Sequence, residues 1–125
     1  MKEESKFIKA IAKLIQLTQD GDLKWSINKN TKQITEGTNN IIDVVYTAHE
    51  ENEHLRLYEM KFKNWLEEDT FEWDNQAFLE IIDELGNAIW TFPSNRTLWD
   101  LLEAVRYQTS GVDDFINRLL SKAKK

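Results

Sequence analysis

IIDVVYTAHEENEHLRLYEMKF, residues 41–62, decides the fold. It holds two runs rich in β-branched and aromatic residues, IIDVVYTA (41–48) and HLRLYEMKF (54–62), and such residues favour extended chain. The acidic stretch Glu50 to Glu53 between them serves as a loop, so the runs become the arms of a hairpin. Antiparallel pairing then sets His49 opposite His54, Thr47 opposite Arg56 and Val45 opposite Tyr58. One face carries Ile42, Val44, Tyr46, Ala48, Leu55 and Leu57. The other carries Thr47, His49, His54 and Arg56 near the turn, then Ile41, Val45, Tyr58, Met60 and Phe62. The parity of the apolar positions changes between Leu57 and Tyr58. That predicts either a bulge or a hairpin partly covered on both faces.

Outward from the hairpin, the spacing predicts helices at both ends of the chain. Phe7, Ile8, Ile11, Leu14, Ile15 and Thr18 recur every three or four residues, with Lys6, Lys9 and Lys13 on the other side. Gly21 suits a left-handed helix stop. Leu23, Trp25 and Ile27 alternate with polar residues as in a strand with one buried face. Residues 28–40 are polar and rich in turn formers, which predicts a long loop or a short hairpin. AFLEII (77–82) and AIWTF (88–92) read as two further strands joined at Asp83 to Asn87. Pro93 stops the second. Ser94 to Thr97 cap a helix with Leu98, Leu101, Leu102 and Val105 facing inward. Gly111 breaks it, and Ser110 with Asp113 predicts a capping-box start for a last helix. That helix carries Val112, Phe115, Ile116, Leu119 and Leu120, and the basic tail SKAKK suits its end. The expected fold class is α+β: an N-terminal helix, an antiparallel meander of about five strands, and two C-terminal helices packed on the sheet. One domain over residues 1–125 is expected, with Trp25, Trp90 and Trp99 directed to the core.

At 14.8 kDa the chain should fold to roughly 7,000 Å² of accessible surface, against about 21,000 Å² unfolded, enough burial for a core without staples. It has no cysteine, so disulfides, thiolate nucleophiles and zinc–thiolate sites are excluded. The N-terminus mixes lysine and glutamate without a long apolar run, so neither a leader peptide nor a membrane span is expected. A cytoplasmic protein is the default expectation.

The net charge of −6 is unevenly placed. Residues 50–84 hold twelve acidic and three basic groups. Phosphate backbones would be repelled there, so direct binding to nucleic acid is not expected and a basic protein surface is the favoured partner. Within that span NWLEEDTFEWDN (64–75) mixes rings with acids and lacks a clean period. Trp65, Glu67, Glu68, Asp69, Phe71, Glu72, Trp73 and Asp74 have the makeup of an interface, with aromatic anchors ringed by steering charge. The competing reading is that the rings tuck into the core and only the acids show.

HEENEH (49–54) holds both histidines. On a helix, five residues apart, they would point about 140° away from each other, unlike the helical zinc-protease spacing. Across a hairpin turn they would face each other, but Arg56 on the same face would repel a cation. The stretch is therefore read as an exposed turn, with no metal and no cofactor expected. Nucleophile-elbow, phosphate-loop and dinucleotide-loop patterns are lacking, and the four glycines stand singly at turns. Asp43 is the one acid inside an apolar run. If buried, its pKa would rise and it could act as acid or base.

The segments LKWS (23–26), LRLYE (55–59) and WTFPSNRTLWDLLEAVRYQTSGVDDFINRLL (90–120) resemble a set of small bacterial and phage-borne proteins. Those share a W-x-FP…LLEAVRYQ…GVxxFxxxLL ending. The resemblance implies a single α+β domain in a bacterial cytoplasm and carries over no activity and no functional residues. The acidic 64–75 stretch lies outside it. The leading expectation is a non-catalytic acidic protein-binding module, such as an inhibitor or immunity-type protein, or a mobile-element accessory protein. The alternative is a small enzyme or ligand-binding domain using a polar patch of Asp43, Thr47, His49, His54 and Arg56. The oligomeric state is left open by the sequence.

Overall fold

A computed structural model describes residues 2–123. Helix α1 (Lys2–Gln19) leads into strand β1 (Ser26–Asn28), the short helix α2 (Lys32–Thr35), and strands β2 (Val45–Glu50), β3 (Glu53–Trp65), β4 (Phe71–Ile82) and β5 (Ala88–Thr91). Helices α3 (Arg96–Ser110) and α4 (Val112–Leu120) follow. The sheet is an antiparallel meander in the order β1-β2-β3-β4-β5. The α+β class and the order of one helix, five strands and two helices are those expected, while α2 stands where a loop or hairpin was expected. The last two lysines of the tail lie outside the described residues.

The central hairpin pairs as its pattern requires, Val45 with Tyr58, Thr47 with Arg56 and His49 with His54. Its loop is tighter than expected. Glu50 pairs with Glu53, leaving Glu51 and Asn52 at the turn with positive φ, the geometry of a two-residue hairpin that Asn accepts readily. There is no bulge between Leu57 and Tyr58, so the parity change reflects cover on both faces. On one face α1 and α3 bury Tyr46, Ala48, Leu55, Leu57, Ala77 and Leu79. On the other, the segment around α2 covers Ile42, Val45 and Tyr58, with Ile34, Met60 and Phe78 around them. Ile42 thus belongs with the second cluster, not with Val44 and Tyr46, because strand pairing begins only at Val45 and a bend at Asp43 breaks the alternation. Ile41 makes only an isolated bridge to Lys61.

Helix α3 is the C-terminal helix seated on the sheet, touching β3 and β4, while α4 leans on α3. Leu98, Leu101, Leu102 and Val105 are fully buried, on the one stripe their spacing defines. Asn95 caps α3 by accepting from the Thr97 backbone N–H. Gln108, near the C-terminal end of α3, fastens it to the C-terminal end of α1 and the chain just after it. It accepts from the Trp25 N–H at 2.8 Å and donates to the carbonyls of Thr18 and Leu23.

Several local expectations are corrected. Of the three tryptophans directed to the core, only Trp25 is buried, its indole N–H donating to Thr18 Oγ1 at 3.0 Å. Trp90 sits on the short edge strand β5, where it stacks on Phe7 and stays half exposed. Trp99 falls beside the buried α3 stripe rather than on it. Ile27 is exposed because β1 is the other edge, while Leu23 and Trp25 are buried ahead of it in irregular chain. The 64–75 stretch, which shows no clean period in sequence, forms the end of the longest hairpin, β3–β4. At the α3–α4 junction Gly111 occupies the cap position without a side-chain bond. Ser110 Oγ accepts from the Val112 N–H, and Asp113 instead accepts from the Tyr107 hydroxyl, so no capping box forms.

Candidate functional site

Strand β3 pairs with β4 over its whole length, from His54 opposite Ile82 to Trp65 opposite Phe71. Neighbouring strands do not follow it that far. β2 pairs with residues 53–58 and β5 with residues 80–82. Beyond the Ile41–Lys61 bridge the hairpin is therefore a two-stranded ribbon leaving the body of the sheet. Its turn closes through the Leu66 and Glu67 N–H groups, which donate to the Thr70 carbonyl at 2.9 and 3.2 Å.

Strand alternation sorts the ribbon's side chains. Lys63 opposite Trp73 and Trp65 opposite Phe71 share one face, the continuation of the face that α1 and α3 cover farther down. Past the end of the helices these rings are left uncovered by the described residues. Trp65 is 55 % exposed, Phe71 37 % and Trp73 48 %. Instead they pack on each other, Trp65 to Phe71 at 5.1 Å between centroids and Phe71 to Trp73 edge-on at 5.7 Å. The Lys63 ammonium lies 4.5 Å from the Phe71 centroid, and 5.7 and 5.9 Å from those of Trp65 and Trp73. A cation over three aromatic faces is attracted by their quadrupoles. The sequence reading missed Lys63. Its two-residue spacing from Trp65, together with the cross-strand register to Trp73, is the signal that locates it.

The acids take other positions. Glu67, Glu68 and Asp69 occupy the exposed turn, and Glu72 and Asp74 point from the opposite face of β4. The eight residues expected to form an interface are thus all on one ribbon tip, rings on one side, carboxylates on the end and back. The wider acidic face expected over 50–74 is not continuous. Glu50, Glu51 and Glu53 lie at the other end of β3, roughly 40 Å away at about 3.3 Å per residue. Asp83 and Glu84, in the β4–β5 turn, lie at that same end. Asp83 accepts from the Asn87 N–H and then the Leu85 N–H, which holds its carboxyl below the usual range.

The residues of the alternative polar patch are divided. His49 and His54 do face each other across the turn, ring centroids 3.9 Å apart. Among the described residues no group of three or more histidines and carboxylates is arranged to hold a metal ion. Arg56 is buried and engaged internally. Its Nε and Nη2 donate to Glu80 Oε1 at 2.7 Å, and its Nη1 donates to the Gly86 carbonyl at 2.8 Å. The Tyr58 hydroxyl donates to Glu80 Oε2 at 3.0 Å, so both carboxylate oxygens are used. Burial, and then the Glu80 charge, push the Tyr58 hydroxyl far above its ordinary pKa. Asp43 is exposed and lines a separate hollow of about 160 Å³ with Glu59, Lys61 and Arg106. A larger hollow of about 750 Å³ lies where α1, α3 and α4 meet, with Lys24, Glu103 and Gln108 on its walls. Compared with known protein families, curated proteins and solved structures, the chain matches none.

Proposed function

We propose that this chain is a non-catalytic binding module whose β3–β4 ribbon tip docks on a basic protein surface. The observation that carries this reading is the exposure of Trp65, Phe71 and Trp73 together, beyond the reach of the helices, beside an acidic turn. Aromatic rings that desolvate easily supply anchor energy, and the carboxylates around them steer a positively charged partner. The same carboxylates oppose a nucleic acid backbone, although a two-stranded ribbon is a shape that can enter a major groove. A small acidic inhibitor of a basic enzyme is the concrete version that fits this charge best, and an accessory protein of a mobile element is its sibling. A bacterial cytoplasm is the setting proposed for either. Among the described residues no helix is long and apolar enough to cross a membrane.

The test compares three versions of the chain as bait at low and high salt: wild type, Trp65→Ala/Trp73→Ala, and Glu67→Lys/Glu68→Lys/Asp69→Lys. Wild type should retain basic proteins at low salt. The aromatic variant should lose them by faster dissociation. The charge variant should capture the same protein about 10–100-fold more slowly at low ionic strength, with a smaller change in dissociation. An identical set of proteins held equally by all three baits removes the ribbon tip from the function.

A further inference from the structure

Helix α4 has an apolar side that none of the described residues covers. Phe115 is 53 % exposed, Leu119 52 % and Leu120 77 %, and Ile116 stands between them at the same helical spacing. Tyr107, half exposed at the end of α3, extends the strip. A nine-residue helix packed chiefly on its predecessor gains little from propensity alone, since short helices depend on packing of an apolar face. The strip is therefore a surface that gains from a cover.

The charge along α4 says what the cover is. Asp113 and Asp114 occupy its first turn, and Arg118 and Lys122 its last turn and exit. One end is acidic and the other basic, so the helix is electrostatically complementary to itself when run antiparallel. Laid across a two-fold axis near residues 117 and 118, Phe115 meets Leu120 of a second copy, Ile116 meets Leu119, and Asp113 meets Lys122. An isologous contact of this kind makes every pairing twice. A standard interface takes roughly 800 Å² from each partner, and a nine-residue helix offers a small patch by that measure.

We propose that α4 pairs antiparallel with α4 of a second copy of this chain, forming a dimer of modest affinity across a two-fold axis. A lipid surface is the less suitable cover, because the acids of α4 and the net negative charge of the chain oppose anionic headgroups.

Sedimentation equilibrium between about 1 and 500 μM should show a monomer–dimer equilibrium with its midpoint in the micromolar range, as a small interface implies. Leu119→Glu changes an exposed residue, so the fold should persist by circular dichroism while the dissociation constant rises at least about ten-fold. The direction of pairing is read by cross-linking, which the absence of cysteine makes clean. Chains carrying Ile116→Cys mixed with chains carrying Leu119→Cys should oxidise faster to the mixed disulfide than to either homodimer. A monomer at all concentrations overturns the proposal. So does a dimer indifferent to Leu119→Glu, or faster homodimer cross-links, which mark parallel pairing. A monomer that binds neutral phosphatidylcholine vesicles through α4 overturns it in favour of a lipid surface.

Discussion

Arg56, Tyr58 and Glu80 show how a single position changes meaning between sequence and structure. Alternation alone puts Arg56 and Glu80 on a strand face, where charge ordinarily means solvent. The α2 segment and the β4–β5 turn close over that face and bury both, leaving a pair whose every arm is satisfied. Gly86 shares the constraint. Its φ is +86°, and an added Cβ would stand 2.5 Å from Gln33 Oε1, whose side chain reaches over to bond the Leu85 carbonyl. The Tyr58 hydroxyl supplies a pH signature. Its pKa is raised on folding, so its stabilisation is whole below about pH 10, the unfolded value, and declines as pH rises toward the folded one. The decline approaches about 1.4 kcal/mol per pH unit from this one group. Tyr58→Phe should cost about 1 kcal/mol at pH 7, the worth of an ordinary buried hydrogen bond. Above pH 10 it should lose stability less steeply than wild type. Urea midpoints from pH 8 to 11.5 measure both, and parallel curves above pH 10 would refute the assignment.

Among the elements, legibility followed whether the information was local. The central hairpin register was readable because a two-period pattern and a short loop leave one pairing that keeps the apolar sets together. The α3 stripe was readable because four leucine and valine positions share a face and an Asn stands ahead of them. The β3–β4 extension was not. Its rings and acids alternate cleanly only when 61–65 and 71–75 are laid opposite each other, and no apolar core enforces that register. The α2 segment was missed for a related reason. Its cover of the sheet rests on Ile34, one apolar residue in a polar stretch, on Ile42 at the start of the next apolar run, and on a contact to a turn some fifty residues away. Of the candidate site, the residue set was legible and its exposure was not, because exposure depends on where the helix layer ends. The ribbon's isolation has a dynamic consequence. Among the described residues no third strand pairs with its backbone from Phe62 to Asn75, so those bonds should open locally. Native-state hydrogen exchange should find these amides about a hundred-fold or more less protected than those of Leu55 to Tyr58. Equal protection would mean that something else covers the ribbon in solution.

At the scale of the whole molecule, charge is gathered at the two far ends of one long hairpin rather than spread over it. Glu67, Glu68, Asp69, Glu72 and Asp74 crowd the tip, and Glu50, Glu51, Glu53, Asp83 and Glu84 crowd the opposite end. Few cations answer them. Among the described residues the ion pairs are Arg56–Glu80 and Arg106–Glu59, neither of which includes an acid from the two ends. Folding brings like charges together that an extended chain keeps farther apart, so self-repulsion at each end opposes the folded state. These groups are exposed, and their repulsion falls once the Debye length drops from about 30 Å at 0.01 M salt to about 4–5 Å near 0.5 M. The buried Arg56–Glu80 pair is screened much less by the same salt, so the stabilising term survives while the destabilising one fades. Sodium chloride should therefore raise the melting temperature between 10 mM and 500 mM, by about 2 °C for a gain near 0.5 kcal/mol in a chain of this size. Replacing Glu67, Glu68 and Asp69 by glutamine and asparagine should remove about half of that salt effect, because one of the two acidic ends loses most of its charge. A melting temperature that falls with salt would place the balance with attractive surface pairs instead, and would take away the electrostatic isolation on which steering of a basic partner to the ribbon tip depends.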